Sequence, residues 1–220
     1  MAEGQSLKAQ NAWLIRAVML AHLGGFVVTT LRPTEIMSDG ASALLNRLEQ
    51  AAAPGTASLG VIVIASLLLL GLIPSPWRNR IIHWRWTCPL PGARAFTQIG
   101  LRDGRVDMSL LGERFGPLPV DEADQDRLFY RIYRGYKDEA EVLDPHRSYL
   151  ATRDIGIINF ILLLALPPLC FVATSDLSTV VVYAACLFGT YVLSALAAQS
   201  YAARMVENVL ALASQPVTTS

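Results

Sequence analysis

The chain has 220 residues, 53% of them hydrophobic and 16% charged, and its eighteen basic and eighteen acidic residues cancel to a formal net charge of zero. A composition this apolar excludes an ordinary soluble domain of this length, and the cancelled charge argues against a general nucleic-acid binder. Three cysteines without clustered spacing exclude a disulfide framework and a zinc site built on paired thiolates.

Residues 1–12 are polar, and a first transmembrane span is expected over 13–31, with Arg16 near its start and His22 near its middle. Ala17, Ala21 and Gly25 recur every four positions, a small-residue face suited to helix packing in lipid. A cleaved signal peptide is the rival reading, but the small-residue pattern Ala41-Ser42-Ala43 stands about ten residues too far on. In the loop 32–56, Ser38 or Asp39 is placed to cap a short amphipathic helix carrying Leu44, Leu45 and Leu48, ending before Pro54-Gly55. A second span is expected over 57–76: Ala57 to Ile73 carries no charge, and Pro74, Pro76 and Trp77 mark its exit.

From Arg78 to Asp154 the chain holds thirteen of its eighteen basic residues, whereas the first loop has two and the later hairpin turn none. The positive-inside rule therefore puts this insert, and both termini, in the cytoplasm. Trp77, Arg78, Arg80, Trp84, Arg85 and Trp86, with His83 among them, form an interfacial anchor: tryptophan favours the headgroup zone and arginine favours phosphate. Cys88-Pro89-Leu90-Pro91-Gly92 makes a rigid turn. Asp107 or Ser109 is placed to start a short helix burying Leu110, Leu111 and Phe115, stopped at Gly116-Pro117. Asp121, Glu122 and Asp124 then open a longer helix whose dipole favours negative charge there. Along it Arg127, Arg131 and Arg134 form a basic stripe beside Phe129, Ile132, Tyr133 and Tyr136. Arg127, Arg131, Arg134 and Tyr133 are thus candidates for holding a phosphate-bearing ligand or a lipid headgroup. The plainer reading is a solvated face next to a core stripe.

Asp144-Pro145 is a helix start by capping chemistry, and His146, Tyr149, Leu150, Arg153 and Ile157 then share one face, so the soluble helix and the span over 155–173 are expected to be one rod. Pro167 and Pro168 are expected to kink it, Thr174-Ser175-Asp176 breaks it, and a fourth span runs over 179–198 with a tail beyond. Thr190, Ser194 and Ala198 form a second small-residue ladder, for packing inside the monomer or between subunits. His146, Arg153 and Asp154 lie at the inner mouth of the third span, where they could couple the insert to the membrane helices or simply mark a charged boundary. His22 and Asn159, polar groups inside spans, are expected to hydrogen-bond between helices.

The expected fold is thus an all-α integral membrane protein of four spans in three parts: a membrane hairpin over 1–76, a mainly helical cytosolic insert over 77–154, and a second hairpin over 155–220. There is no glycine-rich phosphate loop, paired-histidine motif or nucleophile elbow, so no catalytic residue, cofactor or metal ligand is assigned. The outline resembles small bacterial inner-membrane proteins, some of which act as effectors in defence or stress systems; the likeness covers topology only, and no residue is carried over. The expected function is a non-enzymatic effector or signalling subunit, with a membrane enzyme acting on a lipid or isoprenoid phosphate and a passive scaffold as alternatives. Expected partners are membrane lipids, further copies of the chain, and a soluble partner or small phosphorylated ligand, but not nucleic acid. A reporter active only outside the cytoplasm is predicted to work when fused after Gln50 and to fail after Asp121 or Ser220. Activity at the Asp121 fusion would reverse the orientation.

Overall fold

The computed structural model describes residues 12–31 and 70–215, and every regular element among them is helical. The elements are α1 (Ala12–Leu31), α2 (Ser75–His83), α3 (Met108–Phe115), α4 (Glu122–Tyr136), α5 (Ala140–Thr174) and α6 (Leu177–Ala213). Between α2 and α3 the chain makes a 3-10 turn over Pro91–Arg94, a π turn over Ala95–Ile99 and a short α turn over Gly100–Arg102. Helices α1, α5 and α6 are each long and apolar enough to cross a membrane. The span expected over 57–76 lies outside the described residues up to residue 69, as does the short helix expected in the first loop.

Local chemistry explains the helix ends. The Asp107 carboxylate accepts from the Ser109 and Leu110 amides at 2.9 and 3.1 Å and starts α3. Gly116, at φ 85°, ends it in a conformation open to glycine. Asp121 caps α4 in the same way, accepting from Ala123 and Asp124. Helix α5 starts earlier than the Asp144-Pro145 signal suggests, at Ala140, because the Glu139 carbonyl already accepts from the Val142 and Leu143 amides. Pro145 is then a residue inside the helix, and its missing N–H leaves the Glu141 carbonyl without its helical donor. The Asn208 side-chain amide fills that place, donating to the Glu141 carbonyl at 2.7 Å.

The chain divides into two compact units. Among the described residues, the first holds 75–153 and 195–215, and the second holds 12–31, 70–74 and 154–194. The first unit closes on Phe96, Leu111, Phe129, Ile132, Val142 and Val206, with Val209, Leu210 and Ala213 also in this core. The segment after Ala198, read as a tail, is therefore helical to Ala213 and supplies part of this core. At about 1.5–3 kcal/mol for each large apolar side chain removed from water, that contribution is substantial. Gly92 has no room for a side chain, since a Cβ there would lie 2.7 Å from the Phe129 ring and 2.6 Å from the Asp126 carboxylate. Gln125 is 1% exposed and ties this close approach together. Its carbonyl accepts from the Phe96 and Thr97 amides at 3.1 and 3.3 Å, and its amide donates to the Val120 carbonyl at 2.8 Å.

The second unit packs Met19 and Phe26 of α1, Ile158, Leu162 and Leu166 of α5, and Leu187 of α6. The Phe26 and Tyr183 rings meet at 6.1 Å. In α1 the packed side is the one carrying Met19 and Phe26, so Ala17, Ala21 and Gly25 point away from this core and are exposed. Large apolar side chains also cover the outside of these helices, among them Leu164, Val172, Val182 and Leu193, as lipid-facing positions require.

Gln125→Leu keeps the volume but strands the buried Phe96 amide, at about 1–3 kcal/mol for an unsatisfied buried group, and removes the partner of the part-buried Thr97 amide. Thermal unfolding in mild detergent should show a fall in midpoint of several degrees and faster proteolysis between residues 90 and 120; an unchanged melt would mean that water replaces the lost partners.

Candidate functional site

The proposed anchor is built on α2 and the turn after it. Trp77 and Trp86 meet edge to face at 6.1 Å, and the Arg80 guanidinium lies 5.1 Å from the Trp77 ring centre. Trp77, Trp84 and Trp86 are all exposed, while Arg78 is half-buried. Trp84 and Cys88 hold φ of 52° and 40°, left-handed conformations that cost a non-glycine residue on the order of 1 kcal/mol or more and that aim this turn. Arg85 leaves the group: its Nη2 bonds the Glu122 carboxylate at 2.7 Å, at the start of α4.

Behind the exposed tryptophans lies His83, only 7% exposed, with its Nε2 3.5 Å from the Tyr149 hydroxyl. The Arg153 guanidinium sits 5.6 Å from the Tyr149 ring centre, and Arg153 is itself buried. Burial, followed by the positive charges of Arg94 and Arg153, pushes the His83 imidazole down to about 4. His83 is therefore neutral at pH 7, with one ring nitrogen as donor and the other as acceptor. The Gln199 side-chain amide donates to the Ile82 carbonyl at 2.8 Å and holds the end of α2.

On α4 the basic stripe stays on the surface. Arg127 pairs with Asp124 at 2.8 Å, and Arg131 and Arg134 are exposed. Exposed pairs of this kind contribute at most about 1 kcal/mol. Tyr133 turns away from the stripe: its hydroxyl lies 3.0 Å from His146 Nδ1, the two rings edge to face at 5.7 Å. His146 of the expected coupling group is thereby placed against α4, while Arg153 belongs to the first unit and Asp154, also buried, to the second.

In the second unit a polar chain crosses three helices. His22 Nε2 of α1 lies 2.8 Å from the Asn159 carbonyl of α5, and the Asn159 amide donates to Ser194 Oγ at 3.0 Å and to the Thr190 carbonyl at 3.2 Å on α6. Thr190 and Ser194 thus line the face of α6 that α5 approaches. Ala198 is fully buried in the first unit. Among the described residues no three histidine, cysteine or acidic side chains gather as metal ligands.

Two features escaped sequence reasoning. One is Arg94, at the end of the 3-10 turn, whose Nε is buried without a hydrogen-bond partner. The signal was present, since residues 75–102 carry five arginines and no carboxylate. The other is a polar groove of the first unit with a volume of about 620 Å³, lined by Arg105, Glu141, Asp144, Arg204, Glu207 and Asn208 among others. It forms where α5 meets the later part of α6, a pairing that the expected tail concealed.

No family model matches the chain, and neither a curated protein nor a solved structure does.

A histidine whose folded value lies below its unfolded one makes the folded state bind fewer protons, so stability present above pH 6.5 is lost as the pH falls toward 4. The loss through that window is on the order of 3 kcal/mol. Melting curves of the wild type in detergent should fall across it, and His83→Phe should flatten the fall. An equal fall in both proteins would place the titrating group elsewhere.

Proposed function

We propose that the protein is a non-enzymatic effector or signalling subunit of the bacterial inner membrane, with four spans, both termini in the cytoplasm, and residues 77–154 as a cytosolic insert. The insert receives a soluble partner or a small phosphorylated ligand and passes the event to the membrane helices. The observation that carries this reading is the continuity of α5 from Ala140 to Thr174, which joins residues packed in the first unit to an apolar span without a break. A continuous helix transmits displacement along its axis, because changing its length requires opening backbone hydrogen bonds; from Ala140 to Leu166 only Pro145 lacks an N–H, and Pro167 and Pro168 come after that stretch. A ligand shifts such a device only if it binds two arrangements with different affinity. Further copies of the chain belong to the proposal, as assembly partners through the exposed small-residue face of α1.

A membrane enzyme acting on a lipid or isoprenoid phosphate is the second reading, favoured by the neutral buried His83 among the arginines. Expression in a bacterial host should arrest growth and depolarise the membrane, and a Gly-Gly insertion after Thr152 should abolish both at unchanged membrane abundance. Full activity of the insertion variant would remove α5 as the transmitting element. Release of phosphate from lipid extracts by the purified protein would replace the effector with the enzyme.

A further inference from the structure

We propose that Arg94 and Arg85 form a binding site for a single phosphate group, carried by an anionic lipid headgroup or by a soluble phosphate. The site names the ligand chemistry of the sensing role above and rests on that role for its regulatory meaning, while binding itself is measured without it.

The argument starts from charge. Residues 75–102 supply Arg78, Arg80, Arg85, Arg94 and Arg102 and no acid, so any counter-charge must come from another element. Glu122 comes from α4, and it is already bonded to Arg85 at 2.7 Å. Asp126, the other α4 carboxylate close to this turn, packs beneath Gly92, and burial alone acts on it, which raises its value; no arginine pulls it down. Burial works most against the Arg94 charge, followed by the repulsion of Arg85, and the attraction of Glu122 opposes both. Glu122 is thus bonded to Arg85, whereas the Nε of Arg94 is buried with no acceptor.

That arrangement is costly as it stands. A buried N–H without an acceptor loses on the order of 1–3 kcal/mol, more when the group is charged, and the neighbouring Arg85 adds repulsion. An incoming phosphate reverses both effects. Its oxygens are spaced for the planar fork of arginine, accept several N–H donors together, and bring one to two negative charges. The neighbourhood suits an anion better than a cation: Arg153 is buried on Tyr149, and the nearby His83 is held without charge. Access is open, since the side chains of Arg85 and Glu122 are 33% and 38% exposed. Glu122 occupies Arg85 while the site is empty and competes with the ligand for it.

The test uses the full chain purified in a neutral detergent free of anionic lipid, with phosphatidic acid, phosphatidylcholine and inorganic phosphate as probes. Native mass spectrometry counts retained lipid, and melting curves read phosphate. Wild type should retain phosphatidic acid over phosphatidylcholine, or gain thermal stability from millimolar phosphate. Retention of lipid alone assigns a headgroup, and a shift with inorganic phosphate assigns a soluble ligand. Arg94→Gln and Arg85→Gln should weaken binding at least tenfold, and the exposed Arg102→Gln should leave it unchanged. Glu122→Gln, which releases Arg85, should tighten binding severalfold. If Arg94→Gln fails to fold, the Glu122→Gln affinity decides: tightening supports the site, and an unchanged value overturns it. Equal behaviour of wild type and variants with both probes, or no binding by wild type, also overturns it. Binding that depends on Arg94 in a protein that never depolarises membranes would keep the site and remove the effector role.

Discussion

The continuity of helices α5 and α6, each running through both compact units, is the constraint on which everything else in the structure depends. Both helices contribute residues to each compact unit, so a break in either would detach a core from its span. Pro145 threatens such a break one and a half turns into α5, and the Asn208 amide of α6 repairs it by donating to the Glu141 carbonyl. Asn208 also accepts from Arg105 Nη2 at 3.0 Å, and Arg105 is fixed by its Nε, Nη2 and backbone N–H, all donating to the Asp103 carboxylate. The Arg105 hydrogen bond holds the Asp103 carboxyl below the usual range, so this chain of contacts stays charged at neutral pH. A defect in one helix is thereby made into a specific contact with the other.

Each unit relies on one buried amide in a comparable way. Gln125 gathers the backbone of the turns over 91–99, which have too little regular structure to satisfy themselves. Asn159 gathers three helices in surroundings where apolar contact alone gives little preference for one helix neighbour over another. In both places the side chain uses its carbonyl and its N–H groups at once, so a shorter or apolar substitute cannot serve all partners. Polar specificity sits inside otherwise apolar cores, where low dielectric makes each bond strong and each omission expensive.

Much of the helical layout was legible from local chemistry. Asp107 and Asp121 announced α3 and α4 because capping needs only a carboxylate and the amides just after it. The apolar runs of α1, α5 and α6 announced themselves by length. Features that depend on distant partners were harder to read. The start of α5 at Ala140 was hidden because the group that relieves Pro145 lies more than sixty residues away. The later part of α6 was hidden because its apolar residues thin out to one face: Ala202, Val206, Val209 and Ala213 follow helical spacing but no longer form a continuous run. The small-residue ladder of α1 stands exposed, while the side carrying Met19 and Phe26 enters the core, a choice of side that spacing alone does not make. Arg94 looked like one more arginine in a basic stretch, because sequence does not show which of several cations will be buried without an acceptor.

The late position of Val206, Val209, Leu210 and Ala213 in the chain has a consequence for biosynthesis. Residues 75–153 leave the ribosome first, but the core that they help to form is not closed until the end of α6 arrives, more than fifty residues later. At about 5–20 residues per second the interval is roughly 3–10 s, during which Phe96, Leu111 and Phe129 have no complete core to enter. Two apolar helical segments are translated inside that same interval. Closure of this core therefore waits on the two apolar segments that precede Val206, and a message cut short before Val206 yields a product whose first unit lacks Val206, Val209, Leu210 and Ala213 and leaves the rest of that core open.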